Sequence, residues 1–294
     1  MDGNFDDAFK KKLLEPFRFT IDFLEKHNIR WYAAGGTAIG AVRHRGMIPW
    51  DDDVDLFIHR EDFNKLPEYR GELRKNGLGL LFPDDGIYTY RFAKICNEKT
   101  SVWETEGCPV LMGVYIDLFP YDYTTLTEEE YASNYTEYCW LLHRYTRSSL
   151  KYSFANFIHD LKGFHLRRIR SGIENTIYYN RLDTDKCKKE FNEFDAELTS
   201  SDGEHVVALT GLPIIEYYNR SDFDDFVEMP FEDFTVKMMS GWDNYLTRMY
   251  GDYMTPPSSF RRRTHHGKYY INLKERLTLE EIAERKKRGE NFVY

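Results

Sequence analysis

The stretch IPWDDDVDLFIHR, residues 48–60, crowds four aspartates into positions 51–55 and then runs into apolar residues. Acidic runs are ordinarily solvated loops, yet VDLFIH (54–59) has the pattern of a buried strand. Side chains alternate faces along a strand, so Asp53 and Asp55 share one face if the strand begins by residue 53. Val54, Leu56 and Ile58 then point into the core. Two ionised carboxylates on one face repel each other unless one is protonated, both are well solvated, or a cation lies between them. Magnesium suits such a site, because it takes oxygen ligands from one or two carboxylates plus substrate phosphates, and manganese is the alternative ion.

A second fragment, GVYIDLFPYD (113–122), places Asp117 in the middle of an apolar strand. A buried carboxylate without a partner is costly. If this strand lies beside 53–59, Asp117 completes a cluster with Asp53 and Asp55, suited to in-line phosphoryl or nucleotidyl transfer. The competing reading pairs Asp117 with an arginine. Upstream, GGTAIGAVRHRG (35–46) follows the short strand WYAA and opens a short helix. Gly35 and Gly36 permit a tight turn and close backbone approach. Thr37 serves as a cap or a phosphate donor, and a helix start favours anions. Arg43 can grip a phosphate bidentately. His44 is a phosphate donor, a general acid or a structural histidine. In YRFAKI, Arg91 and Lys94 fall on opposite faces of a strand, so only one of them is expected to face the site.

The surrounding chain sets the class. It has 294 residues, 41% hydrophobic and 16% aromatic, enough for a substantial core in one large or two modest domains. Its net charge of −9 excludes a global basic field for nucleic acid. Cys96, Cys108, Cys139 and Cys187 have neither C-x-x-C spacing nor zinc-site histidines, so reduced thiols in the cytoplasm are expected. The N-terminal stretch has no long apolar segment, and no run is long enough to cross a bilayer, so neither a signal peptide nor a membrane span is expected.

Residues 6–27 carry a helical stripe through Phe9, Leu13, Leu14, Phe17, Ile21 and Leu24, with Pro16 set to divide or kink it. Residues 60–77 read as helical with a break near Pro67. Four strand-like runs follow, LGLLF, YTYRFAKIC, TSVWET and GVYIDLF. The pattern predicts an α/β or α+β domain over 1–125 and a mainly helical region over 126–294 that completes or caps the site. Later strands are expected at HVVALT and FTVKMM, and helices at GWDNYLTRMYG and LTLEEIAERKKRG. Residues 143–170 hold seven Lys/Arg against one Asp, interleaved with aromatics. They read either as a peripheral membrane contact at the inner face of the cell membrane or as the core face of a helical cap, and the second reading is preferred.

AAGGTAIGAVRHRGMIPWDDDVDLFIHREDF (33–63) resembles the LicD family of phosphotransferases, which includes the fukutin-related proteins. RFAKI (91–95), Thr100 and GVYIDLFPYD look like that family's next blocks, and YLTRMYGDYMTPP (245–257) with RRRTHH (261–266) like its closing one. The resemblance extends over about 20–270. It implies the nucleotidyltransferase fold, a mixed sheet flanked by helices, with Gly35-Gly36, Asp53-Asp55 and Asp117 at the pattern positions. It implies transfer of a phospho-headgroup, phosphocholine from CDP-choline foremost, to a hydroxyl of a glycan, lipid-linked glycan or teichoic acid precursor. CMP departs, and Asp117 or Asp53 takes the hydroxyl proton. His265, His266 and Arg261–Arg263 close over the donor phosphates, bind an anionic acceptor, or form a surface cluster. Trp31, Tyr32, Trp50, Trp103 and Tyr115 are candidates for a choline cage, against packing roles. Nucleotidyl transfer is the alternative chemistry, and a non-catalytic nucleotide- or glycan-binding protein is the third reading.

Overall fold

The computed structural model describes residues 3–83, 85–86, 88, 90–104, 110–150, 152–208, 215–259, 262 and 268–294. The chain is α+β. Helix α1 (Gly3–Lys26) leads into β1 (Trp31–Ala33), then α2 (Gly35–Ile39) and a π-helical turn (Gly40–His44). β2 (Asp55–His59) follows, with α3 (Arg60–Phe63), a 3-10 turn (Leu66–Tyr69) and α4 (Arg70–Lys75). Next come β3 (Leu78–Leu81), β4 (Ala93–Asn97), β5 (Ser101–Trp103) and β6 (Tyr115–Thr124). A run of four helices then covers α5 (Glu128–Ser149), α6 (Phe154–Lys162), α7 (Leu166–Tyr178) and α8 (Thr184–Glu197). Strands β7 (His205–Ala208), β8 (Glu216–Asn219), β9 (Phe226–Phe231) and β10 (Phe234–Met239) precede α9 (Trp242–Tyr250). The chain closes with β11 (Tyr270–Asn272), α10 (Leu279–Lys287) and β12 (Phe292–Val293).

Two compact units are formed. One gathers Met1–Asp122, Val206–Thr210 and Tyr218–Tyr294; the other gathers Tyr123–His205 and Gly211–Tyr217. The residues after 218 thus return to the unit that holds the first 122.

The main sheet has the order β1-β2-β6-β4-β3, and off that path β7 pairs with β6 and β8 with β7. β2 and β6 are parallel, and β1–β2, β4–β6 and β3–β4 are antiparallel. β2 and β6 read as almost continuous apolar runs because each is covered on both faces. Over one face, Tyr32, Phe57, Tyr121, Phe223 and Tyr245 form an aromatic cluster with ring centroids 5.3–6.4 Å apart. α1 packs Phe17 edge-on against Phe231 and Phe234 of the β9–β10 hairpin, each at 5.4 Å. Pro16 lies inside α1 without dividing it. A small second sheet, β12-β11-β5, returns the C-terminal chain to the first unit. In the second unit α5 starts at a capping box, Thr127 with Glu130, and packs Tyr138 and Tyr145 on Phe191 of α8.

Candidate active site

β1 ends at Ala33, and the chain turns at once into Gly35, whose φ of +52° lies in the region that favours glycine. The fit is close as well as twisted. A Cβ on Gly35 would lie 2.5 Å from Asp55 Oδ2, and one on Gly36 would overlap the carboxylate of Asp51. The two glycines therefore make room for carboxylates, a reason sharper than a generic tight turn. Thr37 is buried and its hydroxyl accepts the Asp55 N–H at 2.9 Å, which ties the first turn of α2 to the start of β2. The Gly35 N–H donates to the Tyr245 hydroxyl of α9 at 2.9 Å. Tyr245 is a contributor that sequence reasoning missed. It stands 210 positions from the turn that it holds, and its helix reads only as a helix.

The parallel pairing of β2 and β6 sets Asp55 opposite Asp117, and the β4–β6 pairing sets Lys94 opposite Asp117 from the other side. Lys94 and Asp117 are each 3% exposed, and Lys94 Nζ donates to Asp117 Oδ1 at 2.6 Å. The lysine lies over Tyr115, 3.5 Å from its ring centre, with Phe92 at 5.0 Å. The Tyr115 hydroxyl in turn donates to Glu104. Of the two basic residues in RFAKI, Lys94 faces the carboxylates. Arg91 lies in a bend before β4 begins at Ala93, so strand alternation does not place it.

β2 begins at Asp55, two residues later than its alternation with Asp53 requires. The loop brings Asp53 to the cluster instead. Asp51, Asp52 and Asp53 offer carboxylate oxygens that all lie within 4.8 Å of one another. Asp52 is buried and its Oδ2 pairs with Lys268 at 2.8 Å. Asp51 lies against Gly36 and hydrogen-bonds with Asp53. Burial, then the charge of Asp53, pushes the Asp51 carboxyl up to about 8. Burial, then Asp53, Asp117 and Asp51, holds Asp55 well above the usual carboxylate range. The acidic run is thus a loop of three aspartates delivered to a fourth at a strand start. This oxygen-only donor set, in which ionisation is opposed by its own neighbours, fits a divalent cation.

Arg43 and His44 end the π-helical turn. Arg43 Nη1 donates to the Tyr253 carbonyl, and Nε donates to His44 Nδ1 at 3.3 Å. Both neighbour Trp50, with the Arg43 guanidinium 6.0 Å and the His44 ring 5.8 Å from the indole, and Arg262 lies over the same ring at 4.7 Å. Burial, then the charges of Arg43 and Lys10, lowers the His44 pKa, which favours the neutral ring. Trp31 and Tyr32 are core residues: the Trp31 indole donates to Glu25 at 2.7 Å and the Tyr32 hydroxyl to the Phe223 carbonyl at 2.6 Å. Trp103 packs on Tyr269 at 5.0 Å. His265, His266, Arg261 and Arg263 lie outside the described residues.

The chain is similar in sequence to several known proteins. Residues 28–168 match the LicD/FKTN/FKRP nucleotidyltransferase domain. The chain is 26% identical over 254 residues to the lipopolysaccharide cholinephosphotransferase LicD of Haemophilus influenzae, a match covering 82% of this chain and 88% of that one. It is 41% identical over 61 residues to the human ribitol 5-phosphate transferase FKRP, covering 21% of this chain and 12% of that protein. It is 45% identical over 93 residues to an uncharacterized protein of Rickettsia typhi, covering 31% and 28%.

Proposed function

We propose that the chain, whose residues 28–168 match the LicD/FKTN/FKRP nucleotidyltransferase domain, belongs to that family and moves a phospho-headgroup from a nucleotide-activated donor to a hydroxyl acceptor. One observation carries the reading. Asp55 and Asp117 stand opposite each other on neighbouring parallel strands, with Asp51 and Asp53 gathered beside them over a glycine turn shaped to their carboxylates. Likeness to the Haemophilus influenzae enzyme over most of both chains makes phosphocholine from CDP-choline the first headgroup to test, with ribitol phosphate second.

Asp53, Asp55 and Asp117 are the residues that would hold magnesium or manganese. Bound there, the cation would neutralise charge on the donor's pyrophosphate. The chain's own groups supply the rest. The glycine pair lets the backbone approach a phosphate closely, and Thr37 fixes that turn to Asp55. The Arg43 guanidinium, held through Nη1 by the Tyr253 carbonyl and through Nε by His44, would offer its remaining N–H groups to a phosphate. Lys94 compensates the buried charge of Asp117. In the transfer, the acceptor oxygen bonds to the headgroup phosphorus, the bond from that phosphorus to the bridging oxygen breaks, and CMP leaves. The hydroxyl proton passes to a carboxylate oxygen of Asp117 or Asp53. The acceptor proposed is a cell-surface glycan precursor, in keeping with the lipopolysaccharide named for the relative.

The test uses CDP-choline labelled in either the choline or the cytidine, with magnesium and lipooligosaccharide acceptors. Choline label in the acceptor and cytidine label in free CMP is the expected result. Cytidine label in the acceptor would overturn the reading in favour of nucleotidyl transfer.

A further inference from the structure

The second unit shows a helical hairpin whose apolar side faces outward. In α7, Gly172 and Asn175 mark the packed side: a Cβ on Gly172 would collide with the Tyr152 ring, and the Asn175 amide donates to the Leu150 carbonyl at 2.5 Å. At 100° per residue, Leu166, Ile173 and Ile177 lie within about 20° of one line, on the opposite side from Gly172 and Asn175. All three are exposed, Leu166 by 71%. α6 repeats the arrangement. Its Asp160 is buried, while Phe154 and Leu161, seven residues apart on another face, are exposed, Phe154 by 78%. An amphipathic helix of a globular unit ordinarily turns its apolar stripe inward. Both helices here do the reverse.

The corner between them sharpens the point. Phe164 holds the left-handed φ of +55°, rare for a bulky residue, and presents its ring 85% exposed. A buried polar anchor fixes that corner: Asp160 receives Arg168 at 2.9 Å and the Tyr152 hydroxyl at 3.0 Å. The apolar display is therefore built in. Its charge setting is one-sided. Residues 143–181 contain eight Lys/Arg against Asp160 and Glu174, in a chain whose net charge is −9, and Lys162, Arg167 and Arg170 are exposed around the apolar side chains.

Exposed aromatic and aliphatic side chains rimmed by cations match the interface of an anionic bilayer, where the apolar groups enter the headgroup boundary and the cations meet lipid phosphates. We propose that the α6–α7 hairpin docks this protein peripherally on an anionic lipid surface through Phe154, Leu161, Phe164, Leu166, Ile173 and Ile177. No described helix is long and apolar enough to cross a membrane. The inference rests on this unit's own surface and not on the transfer reading, and its readout is not activity.

The experiment is vesicle flotation of the full chain, without donor or metal. Vesicles of phosphatidylcholine alone are compared with vesicles that also contain phosphatidylglycerol. Flotation with the anionic vesicles only, reduced by salt, is expected. Phe164→Asn/Leu166→Ser should abolish it, and Arg167→Gln/Arg170→Gln should weaken it roughly thirtyfold, the loss of two cations beside an anionic leaflet. These side chains are exposed, so circular dichroism should show both variants folded. Equal flotation with both vesicle types, or flotation indifferent to the variants, would overturn the proposal. A dimer that Phe164→Asn dissociates, with no flotation, would assign the face to a second copy of the chain and overturn it equally.

Discussion

Gly35 is the residue on which the carboxylate site closes. Its positive φ and the 2.5 Å between a notional Cβ and Asp55 Oδ2 leave no room for any side chain. Gly35→Ala should cost about 1–3 kcal/mol, the range for overpacking, and should reduce turnover by displacing Asp55. Denaturant melts and initial rates check it; an alanine variant with wild-type values of both would show that the cradle is not needed. A second residue, His59, reports on pH. Its ring is buried at the far end of β2, and Arg30 Nη2 donates to its Nδ1 at 2.5 Å, which requires that nitrogen to be unprotonated. Burial, then the Arg30 charge, pushes its pKa down to about 4. The unfolded imidazole keeps its ordinary value of about 6.5. The unfolded state therefore binds the proton first as pH falls, and this contribution to stability is full above about 6.5 and declines towards about 4. The Tm difference between the wild type and His59→Gln should narrow over that window. A difference constant from pH 7 to pH 4 would contradict the assignment.

Among the elements, β4 and β6 carry a buried ion pair in the centre of the main sheet. Removing one member of such a pair leaves the other charged and buried, so Lys94→Met should destabilise by about 3–5 kcal/mol. Adding Asp117→Leu should restore most of that stability while leaving the enzyme inactive. Guanidinium unfolding of the two variants decides it; a single variant costing under about 1 kcal/mol would mean that the pair is solvated. The same elements show what the sequence made legible. Asp117 stood out because one carboxylate interrupts a strict apolar alternation, and its partnership with β2 followed from a shared chemical need. The start of β2 was not legible, because Asp53 and Asp55 satisfy alternation whether or not residue 53 has strand geometry. Nothing in the sequence separates Asp51 from an ordinary loop carboxylate, yet it packs on Gly36 and enters the cluster. Lys94 was legible as a basic strand residue; its pairing with Asp117 was not, since that depends on which strands become neighbours.

At the scale of the whole molecule, long-range closures support the site and leave no local signal. Lys268 neutralises Asp52 from 216 positions away, and Tyr245 holds Gly35. β11 pairs with β5, and Tyr270, Leu277 and Ile282 complete a buried cluster with Trp103 and Leu111 at its edge. Deleting residues 268–294 should strip that cluster and release Asp52, giving an insoluble chain or a Tm lowered by many degrees. Thermal melts of the soluble fraction test this, and an unchanged Tm would show the segment to be dispensable. The helical unit between residues 123 and 205 was legible in its helices and basic bias, but not in the outward turn of its apolar stripes, because periodicity gives a stripe without its direction. The account as a whole rests on the aspartates. Its most direct test is the rate of CMP release from a panel of CDP-linked headgroups (choline, ribitol and glycerol) with magnesium and glycan acceptor, comparing wild type with Asp55→Asn. The account predicts metal-dependent release from at least one donor, a fall on the order of 10²–10³-fold in the variant, and a Tm equal to or above wild type, because one of several repelling carboxylates has been neutralised. Asp55→Asn turning over at the wild-type rate would contradict it.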